Sequence, residues 1–243
     1  MLSEITTLQY IKIKNAIKEQ IQSGQLAAGA KLPSERKLSE SFKTTRVTLR
    51  ESLSLLEADG LIYREDRRGW FIAHRALRLD LSVPFAFSSV AQAQGRSSRT
   101  ELDVAESVMG NKESTQYLSL PPFTEVFAFG RIHYLDGKAV MYAQHYVRAD
   151  RVPNLLQHPL DGDLSSLYRE HWQLITTSCK YSVRSSTFDD DIASKIKATM
   201  GAPALRISKV NVDETGVAQE YVVEHWRHNA VTLDMAIEFT SLS

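Results

Sequence analysis

The chain has 243 residues, of which 43% are apolar and 24% charged, with a formal net charge of zero at neutral pH. That is a length for one large or two small domains with enough apolar content for a core. A lone cysteine, Cys179, excludes an intramolecular disulfide and suits a reducing compartment, and no apolar run approaches the roughly 18 residues of a membrane span.

The N-terminus lacks a basic segment followed by an apolar block, so no signal peptide is expected and the chain is placed in the cytoplasm. Charge is unevenly spread. Residues 1–75 hold 13 Lys and Arg against 9 Asp and Glu, which leaves the remainder acidic. A basic head on an acidic body points toward nucleic acid.

Leu8, Ile11, Ile17 and Ile21 recur near helical spacing, with Lys12, Lys14, Lys18 and Glu19 elsewhere around the wheel, so the spacing predicts a first helix. Gly24, Gly29 and Pro33 in QSGQLAAGAKLP break it. Ser34 can cap a short second helix through ERKLSESF, with Leu38 and Phe42 facing inward. KTT is a tight connection. Thr45 is the expected N-cap of a third helix that runs to about Asp59 and stops at Gly60, with Val47, Leu49, Leu53, Leu55 and Leu56 as its apolar positions. LIY and WFIA then flank a charged turn containing Gly69, the pattern of a hairpin with a basic tip. Three helices and a hairpin in about 65 residues make a winged helix-turn-helix.

Arg46 and Arg50 stand four residues apart on one face of the third helix, flanked by Thr45 and Thr48. The second helix of a helix-turn-helix enters the major groove N-terminus first. There an arginine can donate two bonds to guanine O6 and N7, and a threonine can reach a base edge or a phosphate. The alternative is a solvated helix with Glu51 and Glu57 as intrahelical partners, and the turn, leading helix and basic hairpin in that order weigh against it. A winged helix used only for protein contacts is a further alternative, disfavoured by so basic a face.

The stretch AGAKLPSERKLSESFKTTRVTLRESLSLLEADGLIYREDRRGWFI resembles the DNA-binding domain of GntR-family bacterial transcription regulators. The likeness rests on G-x-x-LPSER-x-L-x-x-x-F followed by TR-x-T-x-R-x-x-L-x-x-L-x-x-x-GLI. It implies that Arg36 contacts the DNA backbone and that Thr45, Arg46, Thr48 and Arg50 read the groove. It also implies that Arg67, Arg68 and Gly69 form the wing tip over the minor groove. Many relatives carry a glycine where Arg67 stands and a small hydroxyl residue where Trp70 stands, so this wing is bulkier and more basic.

HRALRLDLSVPFAF crosses into a second region, with 76–84 read as a linker between domains at 1–75 and 85–243. SSVAQAQG is expected to form a helix capped by Ser88. TEVFAFGRIHYLDGKAVMYAQHYV predicts two long strands about the turn LDGK, DLSSLYREHW a short capped helix, and TSCKYSVRSSTF a strand. DDDIASKIKATMG predicts a helix with acids at its start and Gly201 at its end. The segment from Pro203 to Phe239 predicts two or three strands about DETG. Strands with interspersed helices indicate an α+β domain around an antiparallel sheet.

FSSVAQAQG, FGRIHYLDGKAV, SSLYREHW and QEYVVEHWRH make this region resemble the effector domain of the HutC subfamily of GntR regulators, whose fold is similar to that of chorismate lyase. Where relatives carry a Tyr-Arg-Gly-Asp-like motif this chain reads WRHN. With DRRGWF in the wing, it resembles regulators of 2-aminoethylphosphonate use. A phosphate or phosphonate needs backbone amides, hydroxyls and a guanidinium. The resemblance assigns those roles to Phe87, Ser88, Arg131, Ser166 and Tyr168, with His133 where some relatives have a second arginine. Glu220 is the candidate for a ligand amine or hydroxyl, and Trp226 for a wall and a cation–π contact. Ala143 stands where several sugar-phosphate regulators carry an acid, which disfavours an amino-sugar ligand.

Arg131 as a surface strand residue paired with Asp136 or Glu125, Glu220 as a solvated one and Trp226 as plain core are the alternatives. The seven histidines include no HExxH, there is no cysteine pair for zinc, and neither P-loop nor GxSxG occurs. No metal, cofactor or catalytic residue is expected, although the likeness to a lyase fold keeps an enzyme as a remote alternative. The expectation is a homodimeric, ligand-responsive repressor of a catabolic or transport operon. Its partners are double-stranded operator DNA and a small anionic effector, best matched by 2-aminoethylphosphonate. An amino-sugar phosphate or a urocanate-like acid are the other candidates.

Overall fold

The structure, a computed structural model, describes residues 2–65 and 67–237, with side chains in the first helix from Gln9 onward. Leu8 and Phe239, both given roles above, lie outside the described side chains and residues respectively. Helices α1 (Leu2–Gln22), α2 (Glu35–Ser41) and α3 (Arg46–Ala58) are followed by the antiparallel strands β1 (Ile62–Glu65) and β2 (Gly69–Ile72). Ser34 and Thr45 cap α2 and α3, accepting from the amides of Lys37 and Thr48. Ile13, Ile17, Leu38, Leu49, Leu53 and Leu56 bury one stripe of each helix against Ile62, Trp70 and Ile72 of the hairpin. Ser52 hydroxyl donates to Tyr10 carbonyl at 3.0 Å and ties α3 to α1.

Three expectations for the packing of the apolar residues in this head fail. Ile11 is exposed and Ile13 takes its place inside, because the buried stripe of α1 follows Ile13 and Ile17. Val47 is 77% exposed, on the outward face of α3. Trp70 does not bulk out the wing: it is 6% exposed in the core, and its indole N–H donates to Glu35 Oε1 at 3.3 Å, fastening the hairpin to α2.

Beyond the head a six-stranded sheet runs in the spatial order β4 (Ser98–Met109), β5 (Glu125–Leu135), β6 (Lys138–Arg148), β9 (Ala218–Arg227), β8 (Pro203–Asp213) and β7 (Thr176–Thr187), every neighbouring pair antiparallel. The β5–β6 hairpin turns through Asp136 and Gly137, both at positive φ (49° and 79°), the backbone that a two-residue primed turn requires. Helices α4 (Phe87–Ala93), α5 (Lys112–Tyr117), α6 (Leu164–Trp172) and α7 (Asp190–Ile196) lie between the strands. A mixed fold of a winged helix plus an antiparallel-sheet α+β domain is therefore present.

Part of the expected linker is a strand. β3 (Leu77–Asp80) pairs in parallel with β10 (Val231–Asp234), and Leu77 and Leu79 are buried against Trp226 and Val231. Helix α4 starts on Ala86 without a side-chain cap, which puts Ser88 inside its first turn. Helix α7 ends at Ile196 and is capped by Lys197, which adopts the left-handed conformation itself (φ 55°), short of Gly201. Strand β4 and helix α5 were not foreseen: β4 is an edge strand with most side chains exposed, so it lacks the alternation that marks a half-buried strand.

The head touches the sheet domain beside the β5–β6 turn. His228 Nε2 lies 2.7 Å from the Glu57 carbonyl, and Arg227 packs over the Tyr63 ring, with Lys138 against the same ring. No helix among the described residues is long and apolar enough to cross a membrane.

Candidate functional site

Two surfaces carry the residues singled out above. On the head, the first turn of α3 projects outward. Thr45 is its cap, and Arg46 and Arg50 are exposed. Arg50 is not idle: its Nε donates to Glu35 Oε2 at 2.8 Å. An exposed pair of this kind contributes only about 0–1 kcal/mol, so a phosphate or a base edge can displace it. Thr48 departs from its expected place. It is 5% exposed, and its hydroxyl lies 2.9 Å from that of Thr45. Three residues along a helix from the cap, it turns inward and completes the cap rather than reaching a groove.

Arg36 is exposed and paired with Glu40 one turn on. In the hairpin, Arg68 pairs with Glu65 and lies over the Phe71 ring, while Arg67 and Gly69 both take positive φ at the tip.

The second surface is a cavity of about 490 Å³ on one face of the sheet, roofed by residues 81–88 and by the loop before α6. Register explains its floor. Arg131, Ala143, Glu224 and Ile207 lie in one row across β5, β6, β9 and β8. The next row on one side holds His133, Met141, Trp226 and Leu205, and on the other Phe129, His145, Val222 and Lys209. Residues two apart on a strand share a face, so Arg131 and His133 both enter the cavity, and the short Ala143 leaves its centre open.

Of the expected set, Phe87, Ser88, Arg131, His133, Glu220 and Trp226 line the cavity. Phe87 packs on the His133 ring at 4.8 Å and the Trp226 ring at 6.1 Å. Ser166 and Tyr168 do not line it. Ser166 hydroxyl donates to Asp163 Oδ2 at 2.7 Å, reinforcing the start of α6, and Tyr168 is buried behind Glu220 with its hydroxyl donating to Oε1 at 3.2 Å. Glu220 is neither solvated nor free. His145 Nδ1 and Asn211 Nδ2 donate to its two oxygens at 2.8 and 2.6 Å. Burial opposes its ionisation, but the bond from His145, the Lys209 charge and the Asn211 amide hold its pKa below the ordinary value.

The cations differ in how they are satisfied. Lys209 donates to Glu224 Oε1 at 2.7 Å, and Arg99 pairs with Glu101. Arg131, 8% exposed, donates instead to the Gly162 carbonyl at 2.6 Å, and its Nε has no partner among the described residues. Burial lowers its pKa against the pull of Tyr168, Glu220, Asp161 and Asp163. Its alternative partners are engaged elsewhere: Asp136 with Arg96, Glu125 with Ser107. Burial also drives the His133 pKa well below the usual range, so that ring is neutral. Trp226 is core and wall at once, its N–H donating to Glu224 Oε2 at 2.8 Å. Cys179 lines the far side, half-buried, with burial raising its thiol pKa.

His145, Lys209, Asn211 and Glu224 escaped the sequence reading. The signal was present only as polar residues that share a strand face, such as Lys209 and Asn211 two apart in RISKVNV and Glu224 four residues beyond Glu220. Nothing in the local pattern says which face is enclosed.

Residues 9–72 match the family described as bacterial regulatory proteins, gntR family, and residues 93–232 match the UTRA domain. Among curated proteins the chain is similar to the HTH-type transcriptional regulator YihL of Escherichia coli K12, 28% identical over 228 residues, covering 90% of this chain and 94% of that one. It is also similar to the HTH-type transcriptional regulator GgaR of the same strain, 29% identical over 231 residues, covering 93% and 90%. Among solved structures, PhnF from Mycobacterium smegmatis superposes with a TM-score of 0.66 at 21% identity, covering 94% of this chain and all of that one.

Proposed function

The chain belongs to the gntR family of bacterial regulatory proteins and carries a UTRA domain, and from that premise we propose that it is a repressor of a catabolic or transport operon, relieved by a small anion bound in the sheet cavity. As a regulator of this family it binds operator DNA through the head and a small-molecule effector in the UTRA domain. In our reading residues 1–75 are the DNA-binding head and 85–243 the effector-binding and dimerising domain. The connection at 76–84 is tied to the latter by β3. The dimer acts in the cytoplasm, with two heads on a two-fold symmetric site.

The observation that carries the effector class is Arg131, a buried guanidinium that lines the cavity and whose Nε has no partner among the described residues. A buried cation is costly unless an anion meets it. The neighbouring carboxylates Glu220 and Glu224 are already bonded to other groups. A phosphonate or a phosphorylated metabolite meets that need, with 2-aminoethylphosphonate the first candidate. On the head, Thr45, Arg46 and Arg50 are assigned to the groove, Arg36 to the backbone, and Arg67, Arg68 and Gly69 to the wing.

The test is selection of duplexes from a random pool by the purified protein, followed by anisotropy on the enriched site with and without 2-aminoethylphosphonate, glucosamine 6-phosphate, urocanate and phosphate. Release of a two-fold symmetric site by one of these anions supports the reading. Enrichment with no anion changing the affinity would remove the effector assignment and leave the DNA-binding head.

A further inference from the structure

Two side chains that line the cavity each hold a buried nitrogen with no partner among the described residues, and the two are opposite in kind. One is Arg131 Nε, a donor. The other is Nε2 of His145, a residue 5% exposed, one row along the sheet from Arg131 on the adjacent strand. The His145 ring is held from two sides. Phe129 stacks on it at 4.6 Å with the planes 7° apart, and Nδ1 lies 2.8 Å from Glu220 Oε1. A carboxylate oxygen can only accept here, so Nδ1 carries the proton. In the neutral ring Nε2 is then left as a bare acceptor.

The groups around the ring favour that neutral form. Burial lowers the His145 pKa, Arg131 and Lys209 add to the effect, and Glu220 opposes it without prevailing. Glu220 is itself fixed by Tyr168 and Asn211, so the orientation of the ring does not depend on a ligand.

We propose that His145 is a specificity-determining residue whose Nε2 accepts a hydrogen bond from a hydroxyl or ammonium group of the effector, while Arg131 holds its anion. The effector is therefore a small anion that also carries a donor, not an anion alone. This rests on the reading of the cavity as an anionic-effector site. A buried acceptor left unpaired penalises an analogue lacking the donor, so His145 would separate ligands that Arg131 treats alike.

The experiment is calorimetric titration of the full-length protein with ethylphosphonate, 2-hydroxyethylphosphonate and 2-aminoethylphosphonate, which share the anion and differ in the donor. At least one donor-bearing compound is expected to bind about tenfold or more tighter than ethylphosphonate. The tighter of the two identifies hydroxyl or ammonium. In His145→Phe, which keeps the ring stacked on Phe129, that ratio should collapse to within about twofold. The ratio is read within one variant and does not depend on any general loss of affinity.

Equal binding of all three by the wild-type protein would overturn the role of His145 while sparing the anion site. Failure of all three to bind would overturn the phosphonate-anion reading and this inference with it. Independently of any variant, imidazole ¹⁵N spectra of the free protein at neutral pH should show Nδ1 protonated and Nε2 bare for His145, and a proton on Nε2 would refute the proposal.

Discussion

Arg46 and Arg131 are the central cations of the two sites, and they live in opposite surroundings. Arg46 stands exposed on the first turn of a helix whose N-cap, Thr45, is its immediate neighbour in the chain. Arg131 is 8% exposed on a strand next to the sheet edge, bonded to a loop carbonyl 31 residues away. The difference teaches what each can do. An exposed cation is hydrated and screened, so it is suited to a polyanion that brings many charges and whose binding falls steeply with salt. A buried one has already lost its water, so a single small anion gains the full interaction and salt matters less. In the proposed function the same side chain would serve long-range capture of DNA in the head and selective capture of a metabolite in the sheet.

Four substitutions test how separate these regions are. The largest effect is expected from Trp70→Ala, which empties a core position and removes the indole bond to Glu35. It should lower the stability of the head by about 3–5 kcal/mol, seen as an earlier melting transition. Unchanged effector affinity would keep the regions independent, and a parallel loss would show that the contact between head and sheet carries energy.

Arg131→Ala should weaken effector binding by about 2–5 kcal/mol in calorimetry while leaving DNA affinity in the absence of effector as it was. A retained ligand response would move the anion site elsewhere. Arg46→Ala should cost about 1–3 kcal/mol on the specific duplex and relax discrimination at one base pair. Equal losses on every sequence would reduce it to a phosphate contact.

The smallest effect is expected from Arg68→Ala, since Glu65 already holds that guanidinium. Its signature is a salt dependence of DNA binding shallower by about one unit of log–log slope. Effector binding to wild-type protein should change far less over the same salt range, and a comparable slope there would break the contrast between an exposed and a buried cation.

How much was legible follows the same division. Caps at Ser34 and Thr45, the stop at Gly60 and the hairpin around Gly69 are decided by residues within a few positions of one another, and the head is made of little else. Even there, Thr48 and Trp70 were misplaced, because their directions depend on what the neighbouring helix and hairpin bury. In the second region the long strands and the Asp136–Gly137 turn were readable. Arg131 and His133 shared a face by alternation. Strand β3 inside the expected linker was not readable, since its partner β10 lies some 150 residues on and parallel pairing leaves no turn between them.

By itself the sequence determined the helix-turn-helix, its outward arginines and the antiparallel character of the second domain, because helical periodicity, caps and hairpin turns are short-range geometry. Only the tertiary structure decided that Glu220 is bonded to His145, Asn211 and Tyr168, that Lys209 is neutralised by Glu224, and that Arg131 and His145, which line one cavity, each hold a buried nitrogen with no partner among the described residues. Those relations come from strand register across a six-stranded sheet. Register joins residues far apart in the chain, and burial then forces each polar group either to find a partner among them or to await one from outside.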